Sequence, residues 1–392
     1  MRFKLIQFIA FIIKIIASLI LGILLLILFL YSGTTFFDFA ETKPFSGTNI
    51  YNPYESLPGQ SNKANFHAHS KAWGGITHGS DADQKVIDAY INKGYDLACL
   101  SNYHKISHPA GINSRKYVGV YEHGFSIKKA HYLAINAKKV SFWDFPLCQT
   151  SSHQQTMINK LRENAEMVAI AHPKFGGGRS FQHMKDITGY HHTEVLNHYR
   201  NSEEHWDTAL SVGKLSWIIA NDDIHDLKDP EIFQRWNIIF SESPDDIISN
   251  LKDGKNYGVE SFSTNTENRF VSCKKTGENT FTYTFEKPAD TILFIGQNGV
   301  MKQKNMMSDS ATYVFTPEDT YIRVVAKNAG QNIYLNPLTR YEGNAIIPAA
   351  DLIAKEKTFL SWLWKLVFAG IMGYVVYLWW KLVTFRVKAI RA

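Results

Sequence analysis

Cysteine is nearly absent. Three residues in 392, Cys99, Cys148 and Cys273, are too few for a disulfide framework or a cysteine-ligated zinc cluster, so any chemistry rests on other side chains. Acidic residues are missing from both ends: the first carboxylate is Asp38 and the last is Glu356. Residues 1–37 carry only Arg2, Lys4 and Lys14, and residues 357–392 carry six basic side chains. The net charge of +6 therefore belongs to the ends, and the stretch between them holds 33 basic against 36 acidic side chains. Without a stripe of lysine and arginine that stretch offers no nucleic-acid surface, which needs clustered cations for phosphates. Histidine is also missing from most of the chain, since all fifteen lie between His67 and His225. Apolar residues are plentiful. At 45% hydrophobic and 14% aromatic the chain is not disordered, and its length allows about two to three domains.

Ile15 to Tyr31 is uncharged, and Phe8 to Ile13 extend it beyond Lys14. At about 1.5 Å per residue this run crosses the roughly 30 Å of a bilayer's hydrocarbon, with Lys14 reaching toward the headgroups. It is longer than the apolar core of a secretory signal, and Ser32-Gly33-Thr34-Thr35-Phe36-Phe37 is a poor cleavage site. An uncleaved transmembrane anchor over 1–32 is expected. Leu366 to Trp380 is a second uncharged run, framed by Lys365 and Lys381, with Trp362, Trp364, Trp379 and Trp380 at belt positions. No polar face recurs in it at helical spacing, which predicts a second transmembrane helix over 359–383. Basic flanks at both ends predict a cell-membrane protein with two spans, cytoplasmic termini and an extracytoplasmic body.

Residues 33–62, rich in Pro, Gly, Ser and Asn, read as a linker. From 63 to 265, strand-like runs (Leu97 to Leu100, His131 to Ile135, Met167 to Ala171, Val195-Leu196, Trp217 to Ala220) alternate with helix-like ones (Asp83 to Asn92, Gln154 to Asn164, Glu203 to Val212). That alternation predicts an α/β fold with parallel strands. From 266 to 347, segments such as Thr280 to Phe285 and Tyr321 to Val325, broken at Gln297-Asn298-Gly299, predict a small antiparallel β domain.

The histidines fall mostly at strand ends. His67-Ala68-His69 places two imidazoles on one side of a strand, where both can hold one metal. His78 lies in a glycine-bearing loop, His104 just past Leu100, and His131 at the opening of a strand; His172 ends another, stopped by Pro173. Asp223 and His225 repeat the i, i+2 geometry with a carboxylate and an imidazole. Asp222 is read as their neighbour and not as a ligand. Clustered imidazoles with a few carboxylates suit Zn²⁺, Mn²⁺ or Fe²⁺ better than Ca²⁺ or Mg²⁺, which prefer oxygen shells.

Over residues 63–265 this ordered set resembles the PHP (polymerase and histidinol phosphatase) domain, a family of metal-dependent phosphoesterases. The resemblance implies a distorted (β/α)7 barrel and a site of three divalent metals with nine ligands: His67, His69, His78, His104, Glu122, His131, His172, Asp223 and His225. It implies one metal on His67, His69, Glu122 and Asp223, a second on His78, His104 and His225, and a third on His131 and His172 bridged by Glu122. Asp223, Glu122 and His225 are then the catalytic residues. Two features depart from the family pattern. Ser101-Asn102-Tyr103-His104 lacks the acid–histidine pair common there, and Lys71 to Gly75 enlarge the loop from His69 to His78.

Lys174 and Arg179 flank Gly176-Gly177-Gly178 directly after His172, a pattern suited to binding a substrate phosphate. Glu194 and Asn197 alternate on a strand and are expected to support the ligands from behind. The remaining histidines, His123, His153 and His205 among them, are expected to be packed or on the surface. The expected function is phosphomonoester or phosphodiester hydrolysis by a metal-activated water, on a phosphorylated small molecule or envelope substrate, by an enzyme held in the lipid bilayer. A non-catalytic ligand-binding or scaffold module on the same barrel is the alternative.

Overall fold

Uninterrupted apolar sequence at both ends folds as single helices. The computed structural model describes residues 2–76, 79–108, 117–263 and 267–384. In chain order its helices and strands are α1 (Arg2–Ser32), β1 (Phe37–Asp38), β2 (Asn49–Tyr51), β3 (Ser61–Asn65), α2 (Asp83–Asn92), β4 (Leu97–Ala98), β5 (Val120–His123), β6 (Tyr132–Ala137), α3 (Ser151–Arg162), β7 (Ala165–Ile170), α4 (Phe181–Asp186), β8 (His192–Asn197), α5 (Glu203–Leu210), β9 (Trp217–Asn221), β10 (Arg235–Phe240), α6 (Ile247–Lys252), β11 (Asn256–Ser261), β12 (Phe270–Gly277), β13 (Thr280–Gly296), β14 (Val300–Val314), β15 (Tyr321–Asn328), β16 (Gln331–Leu335), β17 (Leu338–Tyr341), β18 (Lys355–Glu356) and α7 (Thr358–Thr384).

Helices α1 and α7 are each long and apolar enough to cross a membrane, and together they fit a two-span membrane protein. They pack antiparallel: Trp379 Nε1 donates to Ser18 Oγ at 3.1 Å, and Trp364 Nε1 to the Tyr31 carbonyl at 2.9 Å. Arg2 and Thr384 therefore lie at the same end of the pair. Where the helices meet the body, β1 pairs with β18, and β2 then pairs with β17. Tyr54 is buried and its hydroxyl donates to the Asn256 carbonyl at 2.9 Å. The segment 33–62 is thus pinned to the body along its length, although its composition suggests a free spacer.

The body is mixed α/β and contains two main sheets. One has five strands in the order β5-β6-β7-β8-β9; the other has eleven and includes β3, β4, β10 and β11 together with β12 to β17. Parallel pairing, expected throughout, is confined to β3–β4, β7–β8 and β8–β9. β5–β6 and β6–β7 are antiparallel. Residues 124–131 hold no helix to carry the chain back across the sheet, so β5 and β6 meet antiparallel, whereas β6 and β7 are antiparallel although α3 lies between them. The larger sheet continues past position 265, because β11 pairs with β16 from the C-terminal region. In that region strict alternation buries Phe281, Tyr283 and Phe285 on one face of β13. Arg323 on β15 ties it to α5, donating through Nε and Nη2 to the two carboxylate oxygens of Asp207 at 2.8 and 2.7 Å.

Among the described residues the two sheets do not join into a closed barrel of paired strands. They touch through isolated bridges, Tyr103 with Glu122 at one seam and Ala68 with Ile224 at the other. Buried asparagines stitch the second seam. Asn65 Oδ1 accepts from the Asp222 amide at 3.0 Å, and Asn221 Oδ1 accepts from the Phe66 amide at 2.8 Å. Asn237 meets both backbone groups of Ala220, accepting from its N–H at 2.9 Å and donating to its carbonyl at 2.7 Å. These carboxamides replace the missing ladder and satisfy strand groups that burial would otherwise leave unpaired. The seams set the ends of β3, β5 and β9 side by side.

Candidate metal centre

Backbone pairing places the candidate ligands before any side chain is considered. The Asp223 amide donates to the His67 carbonyl and the His69 amide to the Ile224 carbonyl, both at 2.8 Å, so the two i, i+2 motifs run alongside each other. Glu122 is fixed by its amide, which donates to the Ser101 carbonyl at 3.0 Å. The Ala171 amide, donating to the His131 carbonyl at 3.2 Å, brings His131 next to His172. Asp223 and His172 have positive φ, 51° and 25°, a conformation costing roughly 1–3 kcal/mol each that persists only where surroundings impose it.

The result is two donor clusters among the described residues. His67, His69, Glu122 and Asp223 form one, and Glu122, His131 and His172 the other, with all ligand atoms of each within 4.8 Å of one another. Each of these side chains is buried. His67 Nε2 lies 3.3 Å from Glu122 Oε2 and 3.1 Å from Asp223 Oδ1; His69 Nε2 lies 3.1 and 3.3 Å from the same two oxygens. His131 Nδ1 and His172 Nε2 approach Glu122 Oε1 at 2.5 and 3.1 Å.

The donor set is suited to holding metal ions. Nε2 of His67 and His69, Glu122 Oε2, His131 Nδ1 and Asp223 Oδ1 are buried yet make no aligned hydrogen bond. Spacings of 3.1 to 3.3 Å among the first cluster's atoms are close to the edge, about 3.3 Å, of a tetrahedron whose corners lie about 2.0 Å from its centre. These groups are therefore able to hold metal.

Glu194, also fully buried, supports the first cluster from behind. His67 Nδ1 donates to its Oε1 at 2.9 Å, which leaves Nε2 as a bare lone pair facing the cluster. The same carboxylate accepts from Asn221 Nδ2 at 2.8 Å, Asn197 Nδ2 at 3.0 Å and the His172 amide at 2.8 Å. Asn197 also donates to Asp223 Oδ2 at 3.1 Å. Both residues take the supporting positions expected of them.

Charge follows the geometry. Burial alone would raise the Glu122 carboxyl, but His131 and His67 beside it hold it well below the ordinary carboxylate value. Asp223 is likewise lowered against burial by His67 and His69. Burial works to lower His67 and His69, yet the adjoining carboxylates raise both in the metal-free protein. His131 is lowered by burial. His225 stacks on His69 at 4.2 Å between ring centres, with Nε2 3.7 Å from Asp223 Oδ1, and burial beside His69 pushes it down to about 4.

Three expectations need correction or relocation. His104 does not face the clusters: its Nδ1 donates to the Ser141 carbonyl at 2.9 Å, and its Nε2 accepts from the Gly124 amide at 3.1 Å. Both ring nitrogens are occupied, and burial beside His123 lowers its pKa to about 4. His104 sits in a turn with a positive φ of 49°, and the residue facing inward is Tyr103. Its ring stacks on His69 at 4.8 Å, and the Glu122 carboxylate adds to burial in raising its hydroxyl pKa. Arg179 is turned into the packing, donating to the His131 carbonyl at 2.6 Å and Gln154 Oε1 at 2.7 Å with its plane over Tyr132, so it braces His131 and meets no substrate. Lys174 is at the surface, paired with Glu204 at 3.2 Å. His78 lies outside the described residues.

Other histidines are packed, as expected: His123 bonds the Trp143 carbonyl, His153 caps α3, and His205 bonds the Arg179 carbonyl. Asp222 is buried under the turn at 233–235, accepting from the amides of Phe233, Gln234 and Arg235 and from the Tyr90 hydroxyl. The site residues that sequence reasoning passed over are Tyr103, Asn221 and Tyr199, whose ring lies 6.4 Å from that of His225. No family model, curated protein or solved structure matches the chain.

Proposed function

We propose that this protein is a membrane-anchored, metal-dependent phosphoesterase of the PHP type. The observation that carries the reading is the pair of buried donor clusters sharing Glu122. Two such clusters, filled in the order His-x-His, Glu, His, His and Asp along the chain, suit phosphoryl transfer better than a structural ion, which needs only one. The circuit of strands and bridges through both seams is compatible with a distorted barrel. We take the number of metals as two, with Glu122 between them, because His104 is committed elsewhere.

His67, His69, Glu122 and Asp223, with His131 and His172, would hold divalent zinc, manganese or iron, which would supply an activated water and positive charge for a phosphoryl group. Asp223 and Glu122, ionised at neutral pH, offset the charge of the ions. His225, neutral at that pH and partly open to solvent, is placed to accept the proton released from the attacking water. Glu194 holds His67 in one tautomer, and Tyr103, bridged through its backbone to Glu122, stacks on His69. In this reading the body lies outside the cytoplasm and both chain ends inside, as the basic flanks require.

The test uses the purified full chain with zinc or manganese and a panel of phosphomonoesters and phosphodiesters. Hydrolysis is expected, with metal content and turnover both lost in Asp223→Asn and His67→Ala. Turnover retained in both variants removes this mechanism, and metal binding without turnover of any ester favours the scaffold alternative. Protease digestion of the body in intact spheroplasts tests the orientation; digestion only after lysis would place the site in the cytoplasm.

A further inference from the structure

Large apolar side chains stand exposed around the metal centre, and they are continuous with the membrane helices. Ile76 is 86% exposed, Ile127 65%, Phe142 59% and Phe125 54%, with Trp73 and Leu147 also open. They come from three loops that touch one another: Trp73 packs edge-on against Phe142 at 6.3 Å, and Phe125 and Phe142 both stack on the His104 ring. Three successive left-handed residues, Trp73, Gly74 and Gly75, turn the first loop outward.

On one side this face meets the membrane anchor. Phe29 of α1 packs on Trp143 at 5.3 Å, Tyr31 packs on Phe145 at 5.3 Å, and the Leu147 amide donates to the Tyr31 hydroxyl at 3.1 Å. Since Phe29 and Tyr31 lie in the apolar run of the span, the loop 142–147 sits at the depth of the lipid headgroups. On the other side the face meets the donor clusters. Trp73 Nε1 donates to the Tyr103 carbonyl at 2.7 Å, and Tyr103 stacks on His69. One side-chain layer separates lipid-facing residues from a candidate metal ligand.

Charge agrees. Lys71, Lys128 and Lys129 fringe the same loops and are exposed, whereas Glu122 and Asp144 are buried and Asp81, whose carbonyl accepts from the Lys71 amide, is paired with Lys85. Apolar side chains with a cationic fringe are the makeup of a surface that rests in an anionic lipid interface.

We infer that this face docks on the bilayer in which the protein's own helices are embedded, so that the metal centre opens toward lipid headgroups and takes a phosphate ester carried by a lipid. The choice of substrate rests on the phosphoesterase reading; the docking does not. Two readouts keep them apart. In the first, Ile127→Cys in a Cys148→Ser background is labelled with an environment-sensitive fluorophore, and the full chain is placed in phosphatidylcholine vesicles bearing headgroup nitroxides. Quenching is expected at 127 and not at a control label on Val271→Cys in the outer strand β12; equal quenching at the two positions overturns the docking, and a face built for a protein partner leaves both labels unquenched. In the second, Ile76→Glu/Ile127→Glu is compared with the unaltered chain on diacylglycerol phosphate in vesicles and on soluble p-nitrophenyl phosphate. A loss of about tenfold or more on the lipid ester, with the soluble ester unaffected, is expected. Equal effects on both esters, or none, overturn the lipid substrate; no turnover of either by the unaltered chain overturns the phosphoesterase reading and leaves the quenching result to judge the docking alone.

Discussion

Replacing Glu194 by glutamine changes one atom and one charge behind the metal centre, and its hydrogen bonds determine the cost. The carboxylate accepts four of them: His67 Nδ1 and Asn221 Nδ2 on Oε1, Asn197 Nδ2 and the His172 amide on Oε2. Every partner is a donor in this arrangement, and glutamine has only one oxygen to offer. If its NH₂ faces His67, the imidazole must move its proton to Nε2, the atom meant for the metal. If it faces His172, the backbone amide that sets that ring loses its acceptor. One charge-assisted bond is worth about 1.5–3 kcal/mol, and loss of a partner behind a metal ligand weakens binding by roughly 10–100-fold. The two ranges agree at about 1.4–2.8 kcal/mol. Competition between the full chain and a zinc chelator, with thermal unfolding to show that the variant is folded, measures the change. An affinity equal to that of the unaltered chain would refute the coupling of Glu194 to His67.

The same geometry yields further expectations. His104→Ala should leave metal content unchanged, because its nitrogens already serve Ser141 and Gly124; loss of an ion, read by elemental analysis, would return it to the ligand set. Gly124→Ala should weaken the His131 cluster selectively, since a Cβ there comes within 2.4 Å of His131 Cδ2; full occupancy would count against that packing. In the metal-free chain the raised His67 and His69 contribute stability that is complete below 6.5 and lost as pH rises through their raised values, while the lowered Glu122 contributes above 4.5 and loses it on acidification. Melting of the chelated protein should therefore fall as pH rises above 6.5, and metal-loaded protein should not share that drop, because bound imidazoles are neutral. Asp207→Asn should cost about 1.5–3 kcal/mol by removing the bidentate partner of the buried Arg323, which keeps Glu203 at 3.0 Å, a loss visible in thermal unfolding of the body.

Much of the centre was legible in the sequence because its ligands sit at strand ends with an i, i+2 period. His67, His69 and Asp223 show that period and His131 and His172 stand at strand ends, and α2 occupies the residues that its spacing predicts. Glu194 and Asn197, three residues apart, come together across the register shift of β8 at Glu194 and Leu196. His104 misled because an imidazole past a strand end looks like a ligand, whereas a one-residue offset decides which side chain faces in, and here Tyr103 does. The seam between the sheets was hidden: Asn65, Asn221 and Asn237 stand far apart in sequence and resemble ordinary polar residues until their carboxamides meet neighbouring strands. Strand direction was hidden too: alternating elements suggest parallel pairing, yet β6 and β7, with α3 between them, and β10 and β11, with α6 between them, pair antiparallel. The apolar character of the loops at 73–76 and 125–127 is plain in the sequence, but only the packing of Trp143 and Leu147 on α1 says what it faces.

The most direct measurement is anomalous scattering at the zinc absorption edge from crystals of the full chain soaked in zinc. Two peaks about 3.5–4 Å apart, one on each side of the Glu122 carboxylate, are predicted. No peak among His67, His69, Glu122 and Asp223, with those side chains as well ordered as their neighbours, would contradict the account.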